Sequence, residues 1–455
     1  MIENIYPLSQ LPRPKAHFLL GHSAYFSQAP LQFLCDCEQQ YDGIVPLRLG
    51  FSQACFLADP SVIMEILQTR TVFTKNTPGW QAIRTLVGTG LLGSDGDYWA
   101  RQRQLTQPVF HQQRIIAYGD VMVQAAERLL NTWQNDTVRD VHQDMMRLTL
   151  DIVMQTLLSV DLEGEEAQAI AHALDLSMQW FSQQQKRGFL LPPNFPLPLT
   201  QRYFAAIKVM NDLIYQLIQQ RRASRTDTGD LLSMLLQVKD ETDGSQMSDR
   251  QLRDELTTLV LAGHETTANV LAWTWMLLAQ NPQVEAQLHQ ELDTVLQGRS
   301  PTVADIASLP ITQNILKESM RLYPPVVLIA RSASQAYVLK GYQVPKGCIM
   351  IMSPWVMQRS DRYFADPLSF KPERWQNDME KQLPRGVYFP FGEGPRICIG
   401  KGFAQMETTL LLATLAQHYR LGLMPGQTIE TFPSITLRPK HGLPMNLTLR
   451  SNRFD

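Results

Sequence analysis

Phe391-Gly392-Glu393-Gly394-Pro395-Arg396-Ile397-Cys398-Ile399-Gly400 is the stretch on which the reading of this chain turns. It has the form Phe-x-x-Gly-x-Arg-x-Cys-x-Gly. Most free cysteines are small buried hydrophobes. This one lies between glycines, with an arginine two residues before it, and Phe403, Met406, Leu410 and Leu411 follow at helical spacing. Backbone N–H groups and the helix dipole favour a thiolate at such a helix start. Glycine backbone can approach a large flat ligand where a side chain would collide. Arg396 can pair with an acidic group on that ligand. Haem, a planar ring with two carboxylates, meets all three demands.

The longest predicted helix lies upstream. Ser248-Asp249-Arg250-Gln251 has the form of a capping box, and Asn281-Pro282 sets the far end. That is about 50 Å of helix. Leu259 to Leu278 is apolar enough for a membrane span, but His264 and Glu265 lie inside it, and a central charge costs about 3 kcal/mol on insertion. The spacing therefore predicts a helix buried in protein. At its middle, Ala262-Gly263-His264-Glu265-Thr266-Thr267 is poor helix material. A local opening there is expected, leaving carbonyls free for water or a diatomic ligand. Glu265 and Thr266 would supply an acid and a hydroxyl for a short proton relay. The plainer alternative is that Thr266 bonds back to the preceding turn and Glu265 is a paired or solvated charge.

Three further patterns carry charge. Glu318-Ser319-Met320-Arg321 puts an acid and a base on one helix face. Pro372-Glu373-Arg374-Trp375 follows downstream. Trp99-Ala100-Arg101-Gln102-Arg103 lets an indole N–H and a guanidinium reach one anion. Each pattern alone also fits an ordinary solvated helix.

Taken together, these motifs resemble those of the cytochrome P450 superfamily, in the same order and from Trp99 to Gly400. The resemblance implies haem b with Cys398 as its axial ligand, in a loop shaped by Phe391, Gly392 and Gly400. It implies that Ala262 and Gly263 lie against the haem, and that Glu265 and Thr266 deliver protons. Glu318, Arg321 and Arg374 become a structural lock beneath the haem loop. Trp99, Arg103, Arg331 and Arg396 become contacts to the haem propionates. Gln358-Arg359 stands where many relatives have His-Arg, so no propionate contact is expected at Gln358. The implied fold is mainly α with a small β region, a triangular prism with a long central helix over the haem.

The implied activity is monooxygenation. One atom of dioxygen enters a lipophilic organic substrate and the other leaves as water. The chain ends 57 residues after Cys398 with nothing resembling a flavin or iron–sulfur domain, so electrons are expected from a separate ferredoxin or flavodoxin with its reductase. The alternatives are a peroxide-driven haem–thiolate enzyme or isomerase, and a haem-based gas sensor. The Glu265-Thr266 pair argues against the first, and the absence of an output domain against the second. Leu91, Leu92, Val326, Val327, Leu328 and Ile435 are the candidate substrate contacts, and the apolar loop 189–197 is a candidate channel mouth or membrane contact. Lys381, Arg385, Lys401 and Arg101 would form a basic docking face if they converge.

Composition fits this reading. Hydrophobic residues make up 44%, enough for a substantial core. Basic and acidic residues number 41 and 43, a balance that excludes a nucleic-acid binder built on charge. Cys35, Cys37, Cys55, Cys348 and Cys398 have no paired metal spacing, and the odd, low count fits a reducing compartment. The N-terminus has neither a signal-peptide pattern nor an apolar run of about 18 residues. A cytoplasmic, soluble, bacterial-type protein without a transmembrane anchor is expected. Organisation reads as one domain over 1–455: a β-rich part to about 61, a helix-rich body over about 62–330, and a haem loop with β tail over about 331–455.

Overall fold

The β-rich part near the N-terminus is built on a hairpin. β1 (Ile44–Leu49) pairs antiparallel with β2 (Ser52–Leu57) through a turn at Gly50 and Phe51. The structure is a computed structural model, described here over residues 5–160, 165–187, 191–224, 227–240 and 244–450. A five-stranded sheet grows from the hairpin in the order β1-β2-β5-β4-β3, where β3 is Phe73–Thr74, β4 is Ile329–Ala333 and β5 is Ile349–Met352. β2 and β5 run parallel; the other neighbours are antiparallel. Strands from both ends of the chain thus share one sheet. Near the C-terminus β6 (Thr431–Pro433) and β7 (Leu437–Pro439) form a short hairpin.

Helices fill the space between these β parts. α1 (Pro60–Gln68) starts where Asp59 accepts from the N–H groups of Ser61 and Val62. α2 (Gly96–Thr106), α3 (Val141–Leu158) and α4 (Glu165–Lys186) follow. α5 spans Asp249–Gln280, with the Ser248–Gln251 capping box formed and Asn281-Pro282 at its end. Its 32 residues make it about 48 Å long. α6 (Pro310–Leu322) and α7 (Lys401–His418) pack against it, as does α3. Trp273 of α5 stacks on Tyr323 at 4.5 Å and donates its indole N–H to Leu437 O, tying the helix to β7.

One expectation is corrected. α5 does not open at its middle: it is α-helical from end to end. Close packing explains the glycine there, since a Cβ on Gly263 would come within 3.0 Å of Val153 Cγ2 on α3. Burial against three helices outweighs the small propensity penalty of Gly263, Thr266 and Thr267. A helix over Pro198–Ser224 runs into the polar stretch 222–230, and in 239–248 Lys239 and Gln246 form an isolated bridge, with residues 225–226 and 241–243 outside the described set. Among the described residues, no helix is long and apolar enough to cross a membrane.

Candidate active site

The Cys398 loop is closed by its own backbone. Cys398 N–H donates to Phe391 O at 2.9 Å, and Gly392 N–H donates to Phe389 O at 2.9 Å. Gly392 and Gly394 hold φ of +70° and +72°, where a side chain is strained. At Gly394 there is a second reason. A Cβ would come 2.8 Å from Leu67 O, so the bare backbone lets the loop dock on α1. Gly400 caps α7, and its N–H points at the Cys398 sulfur. Burial pushes the Cys398 thiol up, opposed by that N–H and by the charges of Arg103 and Lys401. Protein surrounds this thiol, yet its surface is open. It faces a space, not packed side chains.

Beside the loop lies a cluster of cations. Lys75, Arg84, Arg331 and Arg396 act on one another's charge, with Asp95 the one carboxylate among them. Asp95 accepts from Arg396 and from the Lys75 backbone N–H, and Arg84 lies 3.6 Å away. Lys75 is buried; its ammonium donates to Leu92 O and lies 4.3 Å from the Trp80 ring centre. Arg331 is buried too, and its guanidinium donates to the neighbouring Ala330 O. Arg396 Nε is buried without a partner. Burial and neighbouring positive charge hold Lys75 well below the usual lysine range. They lower Arg331 and Arg396 to about 10. So much buried positive charge against one carboxylate calls for a further anion. An open-faced thiol beside a cation cluster fits haem with its two propionates.

Trp99 and Arg103 have different partners. The Trp99 ring lies beneath the Arg396 guanidinium at 4.3 Å. Arg103 donates to Ile397 O at 2.9 Å, next to Cys398. The spacing of four residues leaves both on one side of α2, facing the Cys398 loop.

On α5, Ala262 is exposed and Gly263 and Thr266 are half-buried within a helix otherwise deeply buried. Those three form a stripe facing open space. The Thr266 hydroxyl donates to Ala262 O at 2.5 Å, the back-bonded alternative. Glu265 points elsewhere. It accepts from Thr436 Oγ1 at 2.6 Å, and Thr436 in turn accepts from Asn269, whose amide oxygen lies 3.0 Å from His142 Nε2. Burial pushes the Glu265 carboxyl up, against the pull of Thr436 and Arg438. Its carboxyl lines a cavity of about 870 Å³ between α3, α4, α5 and the β6–β7 hairpin, with His142, His264, Asp175 and Arg438.

Glu318, Arg321 and Arg374 come together. Arg321 donates to both Glu318 oxygens and Arg374 to one, each at 2.8 Å, with Glu318 and Arg321 fully buried. Lys371 N–H and Trp375 Nε1 also donate to Glu318. Gln358 is buried and bonds Met320 O, Arg321 O and Phe389 N–H, so it latches the segment before Cys398 onto α6.

Of the candidate substrate contacts, Val327 is packed in the main core, and Leu91 is buried with its N–H on Glu255. Leu92, Val326, Leu328 and Ile435 are half-buried. The basic face is largely neutralised: Lys381 pairs with Asp378, Arg385 with Glu393 and Arg101 with Asp240. Lys401 lies over the Phe391 ring at 5.7 Å. In the loop 189–197, residues 189 and 190 lie outside the described set, and Phe195 is exposed. Sequence reasoning missed Lys75, Asp95 and Thr436, which belong to no motif and reach the site only through folding. It also missed Glu407, a buried carboxyl on α7 pushed up to about 8 by burial, with Thr267 donating to it.

With this geometry in hand, comparison with known proteins is informative. The family model "Cytochrome P450" matches residues 11–444. The chain is 36% identical to cyclooctatin synthase of Streptomyces melanosporofaciens, over 92% of this chain and 91% of that protein. It is 34% identical to cyclooctat-9-en-7-ol 5-monooxygenase of the same organism, over 90% and 89%. Pentalenene oxygenase of Streptomyces avermitilis is 31% identical over 96% and 97%. Among solved structures, the haem domain of cytochrome P450DA superposes with a TM-score of 0.87 at 27% identity, covering 99% of each chain.

Proposed function

The chain belongs to the cytochrome P450 family, with haem held by a cysteine thiolate and monooxygenase chemistry, and from that premise we propose that it oxidises a lipophilic terpenoid with electrons from a separate redox partner. The observation that carries the site assignment is the surplus of buried cations beside the open Cys398 thiol. Relatives named for an alkene, pentalenene, and an alkenol, cyclooctat-9-en-7-ol, favour a terpenoid over a fatty acid. The half-buried apolar residues Leu92, Val326, Leu328 and Ile435 are compatible with such a carbon skeleton.

In this reading, Cys398 would hold the haem iron. Lys75, Arg331 and Arg396 would hold the propionates, with the Trp99 ring against Arg396. Bound haem supplies activation of dioxygen with two external electrons, and the thiolate ligand favours O–O cleavage. The chain's own residues manage water and protons. Ala262, with its small exposed side chain, would leave room for the haem beside the central helix. Thr266 holds a hydroxyl on the same stripe. Glu265 holds a proton at its carboxyl and takes new ones from the cavity it lines. Thr436 fixes that carboxyl away from Thr266 until the side chain turns.

A ferredoxin and reductase with NADPH, applied to a terpenoid and fatty-acid panel, tests the reading. Expected are substrate-induced spectral shifts and NADPH-dependent oxygenated product from terpenoids. Turnover with peroxide alone, or spectral shifts confined to fatty acids, would refute it.

A further inference from the structure

We propose that Glu255 is a positioning residue for substrate binding: its carboxyl latches the loop 88–95 to α5 and so fixes where that loop stands beside the Cys398 site. The loop joins a helix over Pro78–Val87 to α2 and carries Leu91 and Leu92. Its backbone is sorted by charge. The Thr89 N–H and hydroxyl donate to Asp254 Oδ2 at 2.7 and 3.0 Å, and the Leu91 N–H donates to Glu255 Oε2 at 3.0 Å. The next carbonyls face cations. Leu92 O accepts from Lys75 and Gly93 O from Arg84, each at 2.7 Å, and Ser94 O accepts from Arg396 at 3.1 Å. The loop is therefore strapped between two carboxylates of α5 and the cation cluster beside Cys398. Gly90 lets it lie that close, since a Cβ there would collide with Asp254 O and Thr258 Oγ1.

Of the two acids, Glu255 is the one able to switch. Arg253 lies 2.8 Å from the Asp254 carboxylate. Glu255 is fully buried, and its partners are the Leu91 N–H and Gln102 Nε2, the latter at 2.9 Å. Burial pushes its carboxyl from 4.5 up to about 7, with the Asp254 charge adding to the rise and the two hydrogen bonds opposing it. Asp254 is the charge that acts on it from α5; α2 presents the neutral Gln102, and residues 88–94 carry no charge. Lys75, Arg84, Asp95 and Arg396 lie on the loop's other side.

Gln102 suits both protonation states of this acid. Its Oε1 is buried without a partner. A protonated Glu255 can donate to that oxygen once the Gln102 amide turns over, and the Leu91 N–H keeps its acceptor. The ionised form is a buried anion held by two neutral donors, which water would solvate better. Lifting the loop returns the carboxyl to water and to its ordinary value of 4.5. The latched state thus binds the proton more tightly. Its advantage is full below pH 4.5 and is lost as pH rises through about 7. This inference rests on reading the Cys398 space as the haem site, and not on the terpenoid.

The test is hydrogen–deuterium exchange of the haem-loaded enzyme, read by mass spectrometry on the peptide spanning 88–95. Parent, Glu255→Gln and Glu255→Ala are compared at each pH, so that intrinsic exchange cancels. Binding of 3-phenylpyridine, whose nitrogen ligates iron and whose ring needs the apolar space, is titrated in parallel. Carbon monoxide is the control ligand, too small to feel the loop. The parent should open about tenfold more at about pH 8 than at about pH 6. Glutamine mimics the protonated acid, since it accepts from Leu91 and donates to Gln102 Oε1, so Glu255→Gln should stay latched at both. Glu255→Ala should be loose at both. Affinity for 3-phenylpyridine should follow the loop, while that for carbon monoxide should not. A weaker pH dependence left in Glu255→Gln belongs to Lys75. A Glu255→Gln variant as pH-dependent as the parent, exchange unmoved by Glu255→Ala, or 3-phenylpyridine affinity that ignores both variants overturns the proposal. If Glu255→Ala does not fold, the comparison of parent with Glu255→Gln decides. A parent without the ferrous–CO thiolate signature would refute the haem site itself, which those other outcomes leave standing.

Discussion

Replacing Glu318 with alanine leaves two guanidiniums facing each other across a buried gap. Glu318 Oε1 accepts from Arg321 Nη2, Arg374 Nε and the Lys371 N–H, while Oε2 accepts from Arg321 Nε and Trp375 Nε1. Alanine removes all five bonds. Arg321 keeps only the carbonyls of Gln358, Pro367 and Ser369, which supply no negative charge. Breaking a buried ion pair from one side costs about 3–5 kcal/mol. Against a typical total of about 5–15 kcal/mol, that is a large share. Glutamine is no rescue. Its amide can keep the Oε1 donors, but its NH₂ then confronts Arg321 Nε and Trp375 Nε1, donor against donor. Glu318→Ala/Arg321→Met removes most of the stranded charge and should recover part of the loss. The assay is the urea midpoint at which haem absorbance is lost, with far-ultraviolet circular dichroism in parallel. A parent-like midpoint for Glu318→Ala, or a double variant no better than the single, would refute the reasoning.

Cys398→Ser should abolish the thiolate signature of the ferrous–CO spectrum, while serine at Cys35, Cys37, Cys55 or Cys348 leaves it intact. Lys75→Met removes one charge-assisted contact of about 1.5–3 kcal/mol, so transfer of haem to apomyoglobin should proceed further by roughly tenfold or more; unchanged retention would remove Lys75 from the propionate site. Thr266→Ala should lower product formed per NADPH consumed. Thr436→Val deletes the hydroxyl that pulls Glu265 down, so the pH at which that coupling changes should move up, about one unit for about 1.4 kcal/mol. Glu407 has its carboxyl raised from 4.5 to about 8. The folded state then binds this proton more tightly than the unfolded, so its contribution is present below pH 4.5 and lost as pH rises through about 8. Glu407→Gln should flatten the decline in urea midpoint across that window; a slope equal to the parent's would show that other groups cause it.

Much of the site was legible because its residues sit close together along the chain. The Cys398 loop, the Glu318–Arg321 pair and the α5 capping box are all local patterns whose geometry follows from helix and turn spacing. The Ser248 cap and the Asn281-Pro282 stop marked the two ends of α5 for the same reason. Misreadings arose where local preference met packing. Gly263 looked like a helix breaker, yet its bare backbone lets α3 approach at Val153. Lys381, Arg385 and Arg101 looked like a basic face, yet each is answered by a carboxylate brought in by folding.

The sequence by itself determined the chemistry on offer: a cysteine at a helix start, an acid and a hydroxyl on one buried helix, and the motif order that marks the family. Only the tertiary structure decided where those groups point. It gathered Lys75, Arg331 and Arg396 around one aspartate, although they come from β3's end, β4 and the haem loop. It turned Glu265 toward Thr436 and a cavity, away from the Thr266 hydroxyl beside it. The reason is physical. Local spacing fixes backbone shape within a few residues, whereas the direction and charge state of a buried side chain depend on burial and on partners far away in sequence.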